Sequence, residues 1–136
     1  MKPLRYFKYL LVFFAISMIS CEDTVLEQGF TLGREASFQI NQLYTSADGF
    51  YTLKITDVGD SRCAEGVVCV WSGEVTVKGE LTERGQKQTF EIHSVVNQQN
   101  LQPEGFTVQI VDVKPYPKYG VETKPEDIIV TLLIKK

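Results

Sequence analysis

Residues with the chemistry to form a site are concentrated at positions 60–73, where the chain reads DSRCAEGVVCVWSG. Cys63 and Cys69 could form a disulfide, bind a soft metal ion as thiolates, or remain free thiols. A zinc site usually has four ligands at CxxC or HxxxH spacing, but these cysteines lie six positions apart and the chain has one histidine, His93. A thioredoxin-like redox pair would be CxxC at the start of a helix. The spacing therefore favours neither a zinc site nor a redox pair.

The first 20 residues indicate which compartment the protein enters. Lys2, Arg5 and Lys8 precede the apolar run YLLVFFAISMIS, which is shorter than the ~20 residues that cross a bilayer. A basic flank, a short apolar run and a small residue before the cut are typical of a secretory signal peptide. We therefore predict that residues 1–20 are a signal peptide and are removed.

Residues 18–21 read MISC and resemble the lipobox of bacterial lipoproteins, in which the cysteine is acylated and becomes the first mature residue. Met18 and Ile19 replace the usual Leu and small residue, so cleavage by an ordinary signal peptidase is the alternative. The resemblance implies a palmitate-type lipid anchor on Cys21 and attachment to the bacterial outer membrane, facing the periplasm or the cell surface. The acidic pair at 22–23 resembles a surface-export signal, or begins a solvated linker.

Removal of the signal peptide changes both the length and the charge of the chain. Of the 136 residues, 116 remain after the first 20, which is enough for one domain and too few for two. The loss of three cations shifts the net charge from −3 to −6. Because no block of Lys or Arg is present, we predict no nucleic-acid binding. We predict a tether over residues 21–31 and a single domain over residues 32–136.

The mature sequence shows the pattern of β-strands. Apolar or aromatic residues alternate with polar ones in several short runs, as in half-buried antiparallel strands. In the run at 50–56, for example, Tyr51, Leu53 and Ile55 share one face. The runs that we interpret as strands are residues 36–41, 50–56, 74–81, 87–92, 106–110 and 128–134.

Turn signals containing Gly, Pro, Asp or Asn separate these runs every ten to fifteen residues or so. This spacing predicts an all-β fold, an antiparallel β-sandwich of about seven strands and immunoglobulin-like size, with a small β-barrel as the alternative. The run at 128–134 reads IIVTLLI and is apolar on both faces. It therefore predicts a central strand that is covered on each side.

The predicted compartment outside the cytoplasm favours a disulfide between Cys63 and Cys69. Disulfides persist in oxidising compartments, and acylation of Cys21 leaves an even pair. Gly66, between Cys63 and Cys69, allows a tight reversal of the chain. A Cys63–Cys69 disulfide is therefore our prediction, with a soft-metal thiolate site and free thiols as alternatives. We predict no cofactor and no metal.

The same segment resembles the signature DSRCP-x4-C-x-W-x-G of a family of small, uncharacterised bacterial lipoproteins and secreted proteins. The residues that carry the resemblance are Asp60, Ser61, Arg62, Cys63, Cys69, Trp71 and Gly73. Ala64 stands where the signature has Pro. Residues 113–117 and 125–134 resemble the closing segments of the family, so the likeness extends from about Leu32 to the end of the chain. It implies an all-β fold and the disulfide, and no established activity.

Five side chains are candidates for contact with a partner. Asp60 and Arg62 could grip a ligand, although an acid and a base beside a stapled turn more often pair with each other. Trp71 could present a binding face, but the neighbouring disulfide favours packing in the core. Tyr116 and Tyr119 lie in a Pro-rich loop, and loops on rigid sandwiches often carry recognition.

The sequence contains no arrangement typical of an enzyme, such as GxSxG, HExxH or a Gly-rich phosphate loop. We therefore predict a monomeric, lipid-anchored envelope protein that is a non-catalytic binding or structural module for envelope protein or glycan. One alternative is a soft-metal carrier that uses Cys63 and Cys69, which a count of free thiols would distinguish. The other is a protease-inhibitor-like module, which rests on fold-level analogy.

Overall fold

The computed structural model describes residues 29–95 and 101–136 of the chain. Its strands are β1 (Gly29–Phe30), β2 (Glu35–Gln39), β3 (Leu43–Ser46), β4 (Tyr51–Asp60), β5 (Val75–Glu83), β6 (Gln86–His93), β7 (Thr107–Lys114) and β8 (Ile129–Lys135). A single turn of 3-10 helix, Pro125–Asp127, precedes β8. Within these two ranges, no helix has the length and apolar character needed to cross a membrane.

The strands form two separate sheets. One sheet has the order β1-β3-β4-β5-β6, and the other has the order β2-β8-β7. The β-sandwich prediction is confirmed, and the sheets do not close into a barrel. The prediction was wrong in one detail, because β1 runs parallel to β3 and makes the larger sheet mixed. A parallel neighbour cannot be recognised from alternation within one strand.

The alternating pattern of the sequence correctly predicts which side chains are buried. In β4, Tyr51, Leu53 and Ile55 are at most 9% exposed, while the residues between them are half-buried. They pack with inner-face residues of both sheets in one hydrophobic core. Burial of such side chains is the main favourable contribution to folding, at ~1.5–3 kcal/mol for each large one.

Strand β8 is central in its sheet, as predicted, but it is not covered on both faces. Val130, Leu132 and Ile134 are buried against the larger sheet. On the opposite face Leu133 is half-buried and Ile129 is 41% exposed. The physical reason is that a two-layer sandwich covers one face of each sheet, and apolar side chains on the outer face are tolerated.

Two strands, β1 and β3, were not recognised in the sequence because they are only two and four residues long. One consequence is a correction to the predicted domain boundary. Phe30, which was placed in the tether, is 3% exposed and belongs to the core. The buried core residues of the described chain begin at Phe30 and end at Ile134. A chain that starts at Glu22 therefore contains this whole core, and we expect it to fold without the residues before it.

Candidate binding surface at one end of the sandwich

Strands β4 and β5 continue beyond the sheet as a hairpin, residues 61–74, which we call the stapled hairpin. The backbone N–H of Ser61 donates to the carbonyl of Glu74 at 2.8 Å, and the N–H of Cys63 donates to the carbonyl of Ser72 at 3.0 Å. Beyond these bonds a disulfide joins Cys63 to Cys69. The predicted disulfide is therefore present. It closes the outer part of the stapled hairpin, which extends from the ends of β4 and β5.

Gly73 is required by the close approach of the two sides of this hairpin. Its φ is +72°, in the left-handed region that disfavours other residues. A Cβ atom at this position would lie 1.8 Å from the carbonyl oxygen of Ser61 and 2.8 Å from the Cα of Arg62. No side chain fits there, which gives a physical reason for the glycine that ends the signature.

A second segment, residues 115–124, lies beside the stapled hairpin, and we call it the tyrosine loop. The N–H of Glu65 donates to the carbonyl of Pro117 at 2.9 Å, and the N–H of Tyr119 donates to the carbonyl of Glu65 at 3.2 Å. Glu65 and Lys118 form a parallel bridge between the two segments. The backbone thus fixes the position of the loop relative to the hairpin.

Arg62 joins the two segments through its side chain. Its Nε and Nη2 donate to the carboxylate of Asp60 at 2.9 and 2.6 Å, which is the pairing favoured for an acid and a base beside the turn. The same Nη2 donates to the carbonyl of Val113 at 2.9 Å, and the guanidinium lies 4.5 Å from the ring centre of Tyr116. The hydrogen bonds to Asp60 raise the pKa of Arg62. The guanidinium is therefore a charged link between the ends of β4 and β7.

Replacement of Arg62 by Ala is expected to lower the free energy of unfolding by about 2–3 kcal/mol, because hydrogen bonds to charged groups contribute that much and Asp60 loses its partner. Arg62→Lys should restore only part of this loss, since an ammonium group cannot form the two-point contact. Urea denaturation measures both changes. Lys87→Ala is the control, because its pair with Glu80 is exposed and worth at most ~1 kcal/mol. Equal losses for Arg62→Ala and Lys87→Ala would contradict the role of Arg62.

The surface formed by the two segments is largely apolar and exposed. Trp71 is 65% exposed, so its predicted packing in the core was wrong. The hairpin extends beyond both sheets, and no core layer covers the tryptophan. Val68 and Val70 are fully exposed beside it, and Tyr119 is 76% exposed. Sequence reasoning missed the two valines. A usable signal was the absence of any ionisable side chain between Glu65 and Glu74 apart from the paired Cys69.

A cavity of about 670 Å³ lies between the base of the hairpin and the tyrosine loop, within the size range of small-ligand sites. It is open to solvent and combines three carboxylates, two ammonium groups and an aromatic ring. The residues that give it this character are Glu65, Asp112, Lys114, Tyr116, Lys118 and Asp127. Most of the exposed lining is apolar surface with charged groups around it, which suits a partner that carries both apolar and polar groups.

Other chemistry that the sequence raised has little support in the described part of the chain. Across residues 29–95 and 101–136, no three His, Cys, Asp or Glu side chains lie together so that they could hold a metal ion. The disulfide leaves Cys63 and Cys69 without a thiolate. His93, the one histidine of the chain, has only 16% of its side chain exposed, and its Nδ1 lies 3.5 Å from the carboxylate of Glu74. Cys21, the predicted lipidation site, lies outside the described residues.

No protein-family model matches this chain, and comparisons with curated proteins and with solved structures give no match either. The resemblance to a lipoprotein family therefore stays a prediction. All five candidate contact residues lie at or beside the stapled hairpin and the tyrosine loop. Trp71 and Tyr119 are exposed there. Tyr116 is 43% exposed and also lies against the guanidinium of Arg62, which is paired with Asp60.

Proposed function

We propose that this chain is a lipid-anchored protein of the bacterial envelope that acts by non-catalytic binding, through the surface of the stapled hairpin and the tyrosine loop. The observation that carries the proposal is the set of bonds made by Arg62, which ties two loops from different sheets into one frame. A frame that is ordered before binding loses little conformational entropy when a partner arrives. Aromatic side chains on such a frame are typical of binding surfaces.

The partner class that this surface favours is an envelope protein or a glycan. Tyr119 offers a ring on which a sugar or a peptide plane can stack. The adjoining cavity offers the carboxylate of Glu65 and the ammonium group of Lys118, which lie 4.0 Å apart. Both groups can exchange their mutual contact for hydrogen bonds to a polar partner, because an exposed ion pair of this kind contributes at most ~1 kcal/mol.

Binding can be tested with immobilised residues 22–136 and an extract of the bacterial envelope. We expect a protein or glycan to be retained by the native chain and lost from Tyr119→Ala, because the ring is exposed and its removal leaves the fold intact. Leu43→Ala is the matched control, since Leu43 is 66% exposed on β3 and lies away from the surface. Equal retention by all three chains would contradict the proposed surface.

The lipid anchor leads to a separate prediction. Cys21→Ala should abolish incorporation of labelled fatty acid, because no acyl acceptor remains, and should make membrane attachment reversible, so that washing releases the protein from the membrane fraction. Two or more acyl chains, each giving ~0.8 kcal/mol per buried CH₂, otherwise hold the protein at a membrane permanently. Cys63→Ala is the control and should stay in the membrane fraction. Continued partitioning of Cys21→Ala into the detergent phase would exclude Cys21 as the anchor.

A further inference from the structure

The tip of the stapled hairpin, residues 66–71, is unusual because it is apolar, exposed and without charge. It reads GVVCVW, and its one ionisable type, Cys69, is consumed by the disulfide. The charged side chains of the hairpin lie outside the tip. Arg62 is paired with Asp60 and Glu65 with Lys118, and Glu74 lies 3.5 Å from His93. Charged groups are what a bilayer excludes most strongly. The tip can therefore approach lipid without desolvating an ion.

The order of side chains along the tip also suits a lipid surface. Val68 and Val70 have relative exposures of 103% and 107%, so nothing in the described protein covers them. Trp71 follows Val70 directly and is 65% exposed. Aliphatic groups favour the acyl region, and Trp and Tyr favour the level of the headgroups. Protein-binding hot spots, in contrast, are poor in valine, so the valines favour lipid over a protein partner.

The direction of β1 shows at which end of the larger sheet the described chain begins. Strand β1 is parallel to β3, and β3 is antiparallel to β4, so the chain enters β1 from the end at which β4 leads into the hairpin. Gly29 is paired with Thr45 between β1 and β3, and Thr45 is paired with Thr52 between β3 and β4. Asp60 lies eight residues further along β4, or about 26 Å at ~3.3 Å per residue.

The length of the segment after Cys21 matches this distance. Eight residue steps separate Cys21 from Gly29, and they can span at most about 26–29 Å when fully extended. An anchor on Cys21 would thus reach the level of the hairpin base, so that one bilayer can receive both the acyl chains and the tip. This match in length rests on the lipid anchor of the proposed function, whereas the exposure and the lack of charge at the tip do not.

We infer that the tip of the stapled hairpin inserts into the surface of a lipid bilayer as a second membrane contact beside the anchor. Val68 and Val70 enter the boundary between headgroups and acyl chains, and the ring of Trp71 lies among the headgroups. Insertion is shallow, about 5–10 Å, because the backbone of the tip needs water or headgroup oxygens for its N–H and C=O groups. The cavity beside the tyrosine loop then lies at the membrane surface, next to components of the envelope.

Trp71 is the only tryptophan of the chain and reports directly on this contact. The test uses residues 22–136, which lack Cys21, and vesicles of phosphatidylethanolamine and phosphatidylglycerol. We expect vesicles to shift the emission of Trp71 to shorter wavelength, brominated lipids to quench it, and the chain to sediment with the vesicles. A Val68→Asn/Val70→Asn double variant should bind at least about tenfold more weakly, because two buried valines are lost.

Leu43→Asn is the matched control and should bind vesicles as the native chain does, because Leu43 is 66% exposed but lies on β3. Equal thermal melts of the variants show that they are folded. No emission shift in the native chain, or equal binding by the double variant, would overturn the inference. So would a shift that appears without vesicles and rises with protein concentration, which indicates self-association. Because Cys21 is absent from this chain, these outcomes are independent of whether the lipid anchor exists.

Discussion

Alanine in place of Gly73 is expected to lower the free energy of unfolding by about 3–5 kcal/mol, from a steric clash added to a left-handed φ. The new Cβ would lie 1.8 Å from the carbonyl oxygen of Ser61. The backbone cannot easily move apart there, because hydrogen bonds on either side hold the hairpin together, from Ser61 to Glu74 and from Cys63 to Ser72. Opening the hairpin would instead break those bonds and disturb the contacts of its base with the tyrosine loop.

Gly120→Ala separates the clash from the backbone strain. Gly120 has φ +73°, nearly the same as Gly73, but no atom lies within 4 Å of the position that its Cβ would occupy. Its replacement should therefore cost only ~1–2 kcal/mol, the strain of the left-handed conformation. Urea denaturation of the two variants and the native chain measures the difference. Similar losses for Gly73→Ala and Gly120→Ala would mean that the hairpin adapts to the extra carbon without breaking its bonds.

The core could be predicted from the sequence because it depends on local alternation. Leu53 and Ile55 are buried for the same reason that they were predicted to be, since successive side chains of a strand point to opposite faces. The outer face of β8 shows the limit of this reasoning. Leu133 and Ile129 are apolar, but whether a second layer covers them is decided by the number of layers, which no single strand encodes.

The candidate surface was predicted in part, for a related reason. Asp60 and Arg62 are two positions apart, so their ion pair follows from spacing. The bond from Arg62 to the carbonyl of Val113 joins residues 51 positions apart and depends on how the two sheets pack. Trp71 was misplaced because an apolar residue beside a disulfide is usually buried, whereas this hairpin leaves the sheet at its end. What covers a hairpin is a property of the tertiary structure, and the sequence around Trp71 does not contain it.

The Cys63–Cys69 disulfide carries the second large expected effect. Cys63→Ala and Cys69→Ala should each lower the free energy of unfolding by about 2–4 kcal/mol, of which ~2.3 kcal/mol comes from the freedom that the unfolded chain regains. The double variant should be no less stable than either single variant, because the same bond is lost once. For a domain of this size each kcal/mol moves the melting temperature by ~3–6 °C, so a thermal scan measures the loss.

A soft-metal site would respond differently to the same solution conditions. If the two sulfurs held a metal as thiolates, a chelator would lower the melting temperature of the native chain and a reductant would not. With the disulfide, the reductant lowers it and the chelator has no effect. Residues 22–136 contain no other cysteine, so a thiol count on the oxidised protein should be zero before reduction and two after it. Two free thiols before reduction, together with a melting temperature that only the chelator lowers, would contradict the disulfide and support a metal site.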